Sequence, residues 1–428
     1  MASASPPGPV GWPLLGHSYH FFREPIAFPR RIQATYGDFV SLHISGQDAL
    51  LVTDPDAIKH VLADNFERYE KGDLYRQELA FIEDGLIVSE GDRWHQQRQQ
   101  LAPMFHPERI EIYRDTMAEA AHDAVESIPR NEPVAIDEVM QQLSLSIIAK
   151  AMLGVDIRDE TDAIRDGLED VMNQARASSR LPISAPAWIP TPQNRRYAKT
   201  LSTFDRIVQD IIATRDTETP TVVSLLLAIQ DDDPSAISDT EIRDQLLTLL
   251  LAGHDTTALG MTYTLHLLAA NPASQERIHS DLDTGESNTL KNAISESLRL
   301  YPPSYTFLRE ATEPDTVGGY SIDAGTLLIL HPWLVHRDER NYRAPDSFMP
   351  SRWNDVPLRE RHPFSYFPFS GGPRRCIGSQ FANLEMRTVL TALLRAFRFE
   401  LGTPPPIDLD PQITLRPAES VELIPRAR

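Results

Sequence analysis

The chain holds 428 residues, 41% of them hydrophobic and 24% charged, enough apolar material for a substantial core, which excludes a chain disordered throughout. Its formal charge is −20, from 61 acidic and 41 basic residues, so the average surface repels a polyanion and nucleic acid is excluded as the expected partner. One cysteine, Cys376, rules out an internal disulfide framework, a cysteine zinc ribbon and a cysteine-ligated iron–sulfur cluster.

Only Lys59, Lys71, Lys150, Lys199 and Lys291 are lysines, so nearly all the positive charge is guanidinium. An acidic, lysine-poor chain points to a salt-rich interior, because salt screens self-repulsion; GC-rich codons give the same arginine bias. No apolar run approaches the roughly 18–20 residues of a membrane-spanning helix, and the N-terminus lacks both a basic start and an apolar stretch. The expectation is a cytoplasmic, soluble protein without a membrane anchor.

In chain order, Pro6, Pro7, Gly8, Pro9, Gly11, Pro13 and Gly16 predict an extended N-terminal arm over residues 1–20, ahead of the fold proper. Two strand-like pieces follow, Phe39-Val-Ser-Leu-His-Ile and Ala49-Leu-Leu-Val, and then helical periodicity dominates from about Pro107 to Asn271. Four prolines between Leu181 and Pro192 predict a loop there, suited to a lid. Ser238-Asp-Thr-Glu241 reads as a capping box opening the longest helix, with no proline before Pro272. That helix is apolar apart from Gly253, His254, Asp255, Thr256 and Thr257. Such an interruption costs stability unless the polar groups are used locally, for function or by threonines bonding back to their own helix carbonyls.

Phe369-Ser-Gly-Gly-Pro-Arg-Arg-Cys-Ile-Gly378 combines turn residues, two arginines and the cysteine ahead of a helical run from about Ile377 to Phe397. A helix N-terminus with Arg374 and Arg375 alongside favours a thiolate, and a thiolate can ligate iron. The alternative, an inert buried cysteine, fits poorly beside glycine and arginine.

In this segment the chain resembles the cytochrome P450 family of haem-thiolate monooxygenases, whose signature Phe-x-x-Gly-x-Arg-x-Cys-x-Gly is met by Phe369, Gly372, Arg374, Cys376 and Gly378. Glu296-Ser-Leu-Arg299, Arg352 after Phe348, Ala252-Gly-His-Asp-Thr256 and Trp94-His-Gln-Gln-Arg98 match the family's other marks in order. The resemblance implies a mainly helical fold with small sheets, residues 21–428 as one domain, and haem b held between the long distal helix and the cysteine helix. It implies Cys376 as proximal iron ligand, and Trp94, Arg98, Arg309 and Arg374 as donors to the haem carboxylates. Phe369, Gly372 and Gly378 would shape the cysteine loop, and Ala252 and Gly253 would leave room over the ring. Asp255 and Thr256 would deliver protons to O2, while Glu296, Arg299 and Arg352 would form a structural ion network.

By analogy the substrate walls are residues 69–90 and 172–195, including Tyr69, Tyr75, Leu79, Phe81, Ile82, Leu86, Ile87 and Val88 with Leu181, Ile183 and Trp188. They point to an apolar substrate such as a fatty acid, terpenoid or steroid; Arg195 and Arg196 read as solvated. Arg352, Arg359, Arg361, Arg374, Arg375 and Arg387 against Asp355, Glu360 and Glu385 make a local net of +3, which favours an acidic ferredoxin as separate electron donor. Two alternatives stand beside the monooxygenase: a haem-thiolate peroxygenase or isomerase, which needs no Asp–Thr pair, and a haem-based gas sensor, for which no output domain is seen.

Overall fold

The alternation in Phe39-Val-Ser-Leu-His-Ile buries every second side chain, and Ser45 and Gly46, both with positive φ (52° and 82°), turn the chain into a hairpin with Gln47–Val52. The computed structural model describes residues 5–79, 82, 84–155, 221–286 and 288–428, with 195, 202, 205, 206, 208–210, 212 and 213. The loop expected around residues 181–192, and the wall residues Phe81, Leu181, Ile183 and Trp188 with Arg196, lie outside the described residues.

The chain divides into two compact units, each assembled from separate stretches. The first comprises residues 1–77, 295–376 and 410–416. Its five-stranded sheet runs in the order Phe39–Ile44, Gln47–Val52, Leu327–Leu330, Phe307–Ala311, Tyr69–Glu70. Leu50 stands opposite Ser41 in the hairpin and opposite Leu328 in a parallel pairing, and Leu328 in turn faces Arg309. Leu327–Leu330 is apolar throughout because this central strand is covered on both faces. Leu50, Val52, Ile58, Val61, Leu62, Leu328, Leu330, Phe364 and Phe367 form its core. Tyr69 belongs to that core too, 1% exposed and donating to Asp315 Oδ2 at 2.6 Å, which removes it from the expected substrate wall.

The second unit comprises residues 78–294, 377–409 and 417–428. Its axis is the helix Asp239–Ala270, 32 residues and therefore about 48 Å long. The capping box is present as expected, Ser238 Oγ accepting from Glu241 N at 3.2 Å and Glu241 Oε2 from Ser238 N at 2.7 Å. Helices Ile136–Ile148 and Ser379–Ala396 and strand Phe397–Leu401 pack around it. That strand pairs with Glu422–Ala427, which pairs in turn with Val134–Ala135.

The N-terminal arm departs from expectation. It is extended only to Gly11; Trp12 and Gly16 then close a tight loop, and a helix starts at Ser18. Nor does it stand apart from the fold, because Ser41 N donates to Pro7 O at 2.8 Å and His17 N to His43 O at 2.7 Å.

Candidate functional site

The cysteine loop is shaped by contacts within the first unit. Gly372 has φ +66°, and a Cβ there would lie 1.9 Å from Leu62 O; a Cβ at Gly371 would strike the Phe364 ring at 2.3 Å. The loop is thus pressed onto the sheet unit, and Cys376 N closes it by donating to Phe369 O at 3.0 Å. Cys376 emerges exposed, three residues ahead of the helix Ser379–Ala396. A Cβ at Gly378 would meet the Phe105 ring at an ordinary 3.7 Å, so no described protein neighbour demands glycine there.

Behind the loop, the expected ion network is complete. Glu296 is fully buried and its two oxygens receive Arg299 Nε and Nη2 at 2.9 Å, Arg352 Nε at 2.8 Å, Met349 N at 2.9 Å and Trp353 Nε1 at 3.1 Å. The remaining guanidinium donors go to carbonyls: Arg299 to His336, Pro345 and Ser347, and Arg352 to Arg343, Ala344 and Ser347. Trp353 packs on Tyr366 with centroids 4.7 Å apart, and Tyr366 and Tyr342 donate to Ser295 O and Ser365 O. These aromatic links carry the network to residues 364–367, under the cysteine loop. Sequence reading missed them because no aromatic spacing marks them.

On the long helix, Leu249, Ala252, Gly253 and Thr256 form an accessible stripe midway along a mostly buried element, whereas Asp255 is 2% exposed. Thr256 Oγ1 donates back to Ala252 O at 2.7 Å, so its proton is committed while its oxygen can still accept. A Cβ at Gly253 would lie 2.0 Å from Ile148 Cδ1, the end of a flexible side chain on the neighbouring helix, so Gly253 lies against that helix while it is also part of the stripe.

Beside this stripe lies a clamp that sequence reading did not find. Asp84 N donates to Asp244 Oδ2 at 2.8 Å, Leu86 N to Gln245 Oε1 at 3.1 Å, and Gln97 Nε2 to Asp84 O at 2.6 Å, while Arg93 pairs with both Asp84 and Glu241. Gly85 is required because a Cβ would meet Thr248 Oγ1 at 2.1 Å. The apolar run Leu86-Ile-Val88 is thereby pinned one turn before the stripe. Asp244 and Gln245, polar residues inside an apolar helix start, were the available signal.

The expected carboxylate-binding donors divide between the units. Trp94 (buried) and Arg98 (half-buried) lie one turn apart on helix Gly91–Leu101 in the second unit. Arg309, on strand Phe307–Ala311, and Arg374, in the cysteine loop, belong to the first. Among the described residues no three His, Cys, Asp or Glu side chains gather to hold a metal ion. Within the first unit, an exposed thiol and the guanidinium groups of Arg309 and Arg374 suit a chelated iron that bears carboxylates, and haem b is such a group.

The charge count around the cysteine needs two corrections. Arg361 is turned inward, donating to Val356 O at 3.0 Å and Arg352 O at 2.8 Å and lying 5.0 Å from the Trp353 ring, because the network leaves those carbonyls and that aromatic face to be covered. Glu385 is fully buried on the cysteine helix, and burial pushes its carboxyl up to about 8, so it is mostly neutral at pH 7. Arg375 and Arg387 are exposed, while Arg359 pairs with Glu360 at 3.5 Å.

The family model for cytochrome P450 matches residues 6–424. Cyclooctatin synthase of Streptomyces melanosporofaciens is 31% identical over 98% of this chain and 95% of its own. Cyclooctat-9-en-7-ol 5-monooxygenase of the same organism is 28% identical over 92% of this chain and 88% of its own. A solved structure, retinoic acid bound cyanobacterial CYP120A1, superposes with a TM-score of 0.88 at 22% identity, covering all of both chains, and bears out the mainly helical fold with small sheets.

Proposed function

The chain belongs to the cytochrome P450 family and is a haem b monooxygenase, and on that premise we propose that it places one oxygen atom of O2 into an apolar organic substrate, with electrons from a separate ferredoxin-type donor. Haem supplies the iron at which O2 is bound and activated, and thiolate ligation favours O–O cleavage. The observation that carries the reading is the exposed Cys376, the chain's one thiol, on a loop closed by Phe369 and rooted in a buried ion network.

In this reading Cys376 is the iron ligand, its thiolate favoured by the following helix N-terminus and by Arg374 and Arg375. Trp94, Arg98, Arg309 and Arg374 hold the haem carboxylates. Thr256, on the accessible stripe, accepts a hydrogen bond from water and orders it, and Asp255 one residue earlier passes protons inward. Leu86, Ile87 and Val88 offer the substrate an apolar boundary. A relative named for the oxidation of cyclooctat-9-en-7-ol, a hydrocarbon framework with one hydroxyl, supports a terpenoid-like substrate over an ionic one. The exposed Arg375 supports an acidic donor. The low lysine content and net charge of −20 support a salt-rich interior.

Cys376→Ser tests the assignment. The variant should lose the red-shifted Soret band of the ferrous carbon monoxide complex, because an alcohol supplies no thiolate charge; retention of that band sinks the ligand assignment.

A further inference from the structure

The cysteine loop is seated on a widened helical turn. Pro55–Lys59 is α-helical, and the next five residues, His60–Asp64, open into a π-helical turn. Such turns are rare and occur frequently at functional sites. The inward side of this one is fixed: Ile58, Val61 and Leu62 are at most 1% exposed and share a core with Phe364 and Phe367, which lie under the cysteine loop. The turn also touches the loop itself. A Cβ at Gly372 would lie 1.9 Å from Leu62 O and 2.9 Å from Ala63 Cα, and these are backbone atoms, which cannot swing aside as a side chain can. Gly372 O in turn accepts from Arg375 N at 3.1 Å, one residue before Cys376.

Side chains hold the turn wide. Asn65 N donates to His60 O at 2.9 Å, the five-residue bond of a π-turn. Two side-chain pairs repeat that spacing: Lys59 Nζ meets Asp64 Oδ2 at 2.8 Å, and Asn65 Nδ2 lies 2.9 Å from His60 Nδ1. In an α-helix residues five apart point about 140° away from one another, so both pairs favour the wide form. The third tie leaves the turn: His60 Nε2 reaches Asp315 Oδ2 at 2.8 Å, on strand Asp315–Val317. That carboxylate can only accept, so Nε2 carries the proton and Nδ1 is left to accept from Asn65.

Asp315 is a firm anchor. Its side chain is 9% exposed, Oδ2 also receives Tyr69 OH at 2.6 Å, and Oδ1 receives Thr316 N at 2.7 Å. Burial works against the charge, yet the bonds from Tyr69 and His60 hold its carboxyl below the ordinary range. The Glu296 network reaches residues 364–367 through aromatic rings, whereas the π-turn meets the loop at Gly372.

We propose that His60 is a positioning residue for the iron ligand: by holding the π-turn open it fixes where Leu62 and Ala63 meet Gly372, and so where the loop presents the Cys376 sulfur. The inference rests on Cys376 as that ligand. A first ligand must be held within about 0.5 Å of its working position by the groups behind it, and a turn free to narrow would release the loop in part of the population.

The test compares haem-loaded wild type with four variants. The ferrous carbon monoxide spectrum reads the fraction of molecules with thiolate ligation, and urea unfolding reads stability. His60→Ala, at a side chain 30% exposed, should raise the fraction with an unshifted Soret band about tenfold, the effect of losing one hydrogen bond to a charged group. Asn65→Ala, which loosens the turn and leaves Asp315 bonded, should share that change. His60→Gln keeps an amide donor for Asp315 and should restore most of the red-shifted band. Tyr69→Phe removes another hydrogen bond from the same Asp315 oxygen without touching the turn, so it should lower the urea midpoint and keep the band. Wild-type spectra for both His60→Ala and Asn65→Ala, or a band loss in Tyr69→Phe equal to that in His60→Ala, overturn the proposal. Failure of the ligand assignment is a different result, the absence of the red-shifted band in wild type itself.

Discussion

Replacing Glu296 by alanine should be among the most damaging single changes in this chain. The carboxylate is fully buried and receives five hydrogen bonds, three of them from the guanidinium groups of Arg299 and Arg352, themselves 0% and 6% exposed. Removing it leaves two buried cations whose described partners are carbonyls, and breaking a buried pair in this way costs about 3–5 kcal/mol. The orphaned Trp353 Nε1 and Met349 N–H add a desolvation cost of about 1–3 kcal/mol each, though not additively. A loss of about 4 kcal/mol, roughly a thousandfold in the folding equilibrium, is a large share of a total stability of about 5–15 kcal/mol. Because Trp353 and Tyr366 link the network to the residues beneath the cysteine loop, haem retention should fall with it. Urea unfolding followed by circular dichroism, with haem content measured on the same samples, reads both effects. Glu296→Gln, which keeps the shape and loses the charge, should fall between wild type and alanine. Arg93→Ala breaks a partly exposed pair and should cost under about 1 kcal/mol. A Glu296→Ala cost as small as that, with full haem content, would refute the reasoning.

Glu385, raised by burial from its ordinary 4.5 to about 8, stabilises the folded chain while protonated; that contribution is complete below the unfolded value and is lost as pH rises through about 8. Glu385→Gln should therefore flatten the fall in urea midpoint between about pH 5 and pH 8, and a pH-independent difference from wild type would count against it. Thr256→Ala removes the acceptor oxygen on the accessible stripe and should consume reducing equivalents at a similar rate while releasing mostly peroxide; unchanged coupling to product argues against ordered water there. Arg375→Glu should slow the first electron transfer from an acidic ferredoxin at low salt, with the difference shrinking as salt is added. Equal stopped-flow rates at low salt reject that docking site.

Local order decided much of what the sequence by itself determined. The capping box at Ser238, the alternation in Phe39–Ile44 and the glycine-arginine-cysteine run each act over fewer than ten residues, where spacing translates directly into backbone geometry. The Glu296–Arg299 pair was legible as an i,i+3 contact on one helix, and Arg352 joined it only by resemblance, 53 residues after Arg299. What the tertiary structure alone decided depends on contacts between distant segments. Spacing could not show that Ile148 reaches Gly253, that Asp244 and Gln245 clamp residues 84–86, or that Glu385 is a buried neutral acid rather than a surface charge. Nor could it show that Arg361 turns inward. Whether a charge is solvated or buried, and whether a glycine frees space or fills it, is fixed by the neighbour that packs against it, and that neighbour is set by the fold rather than by position along the chain.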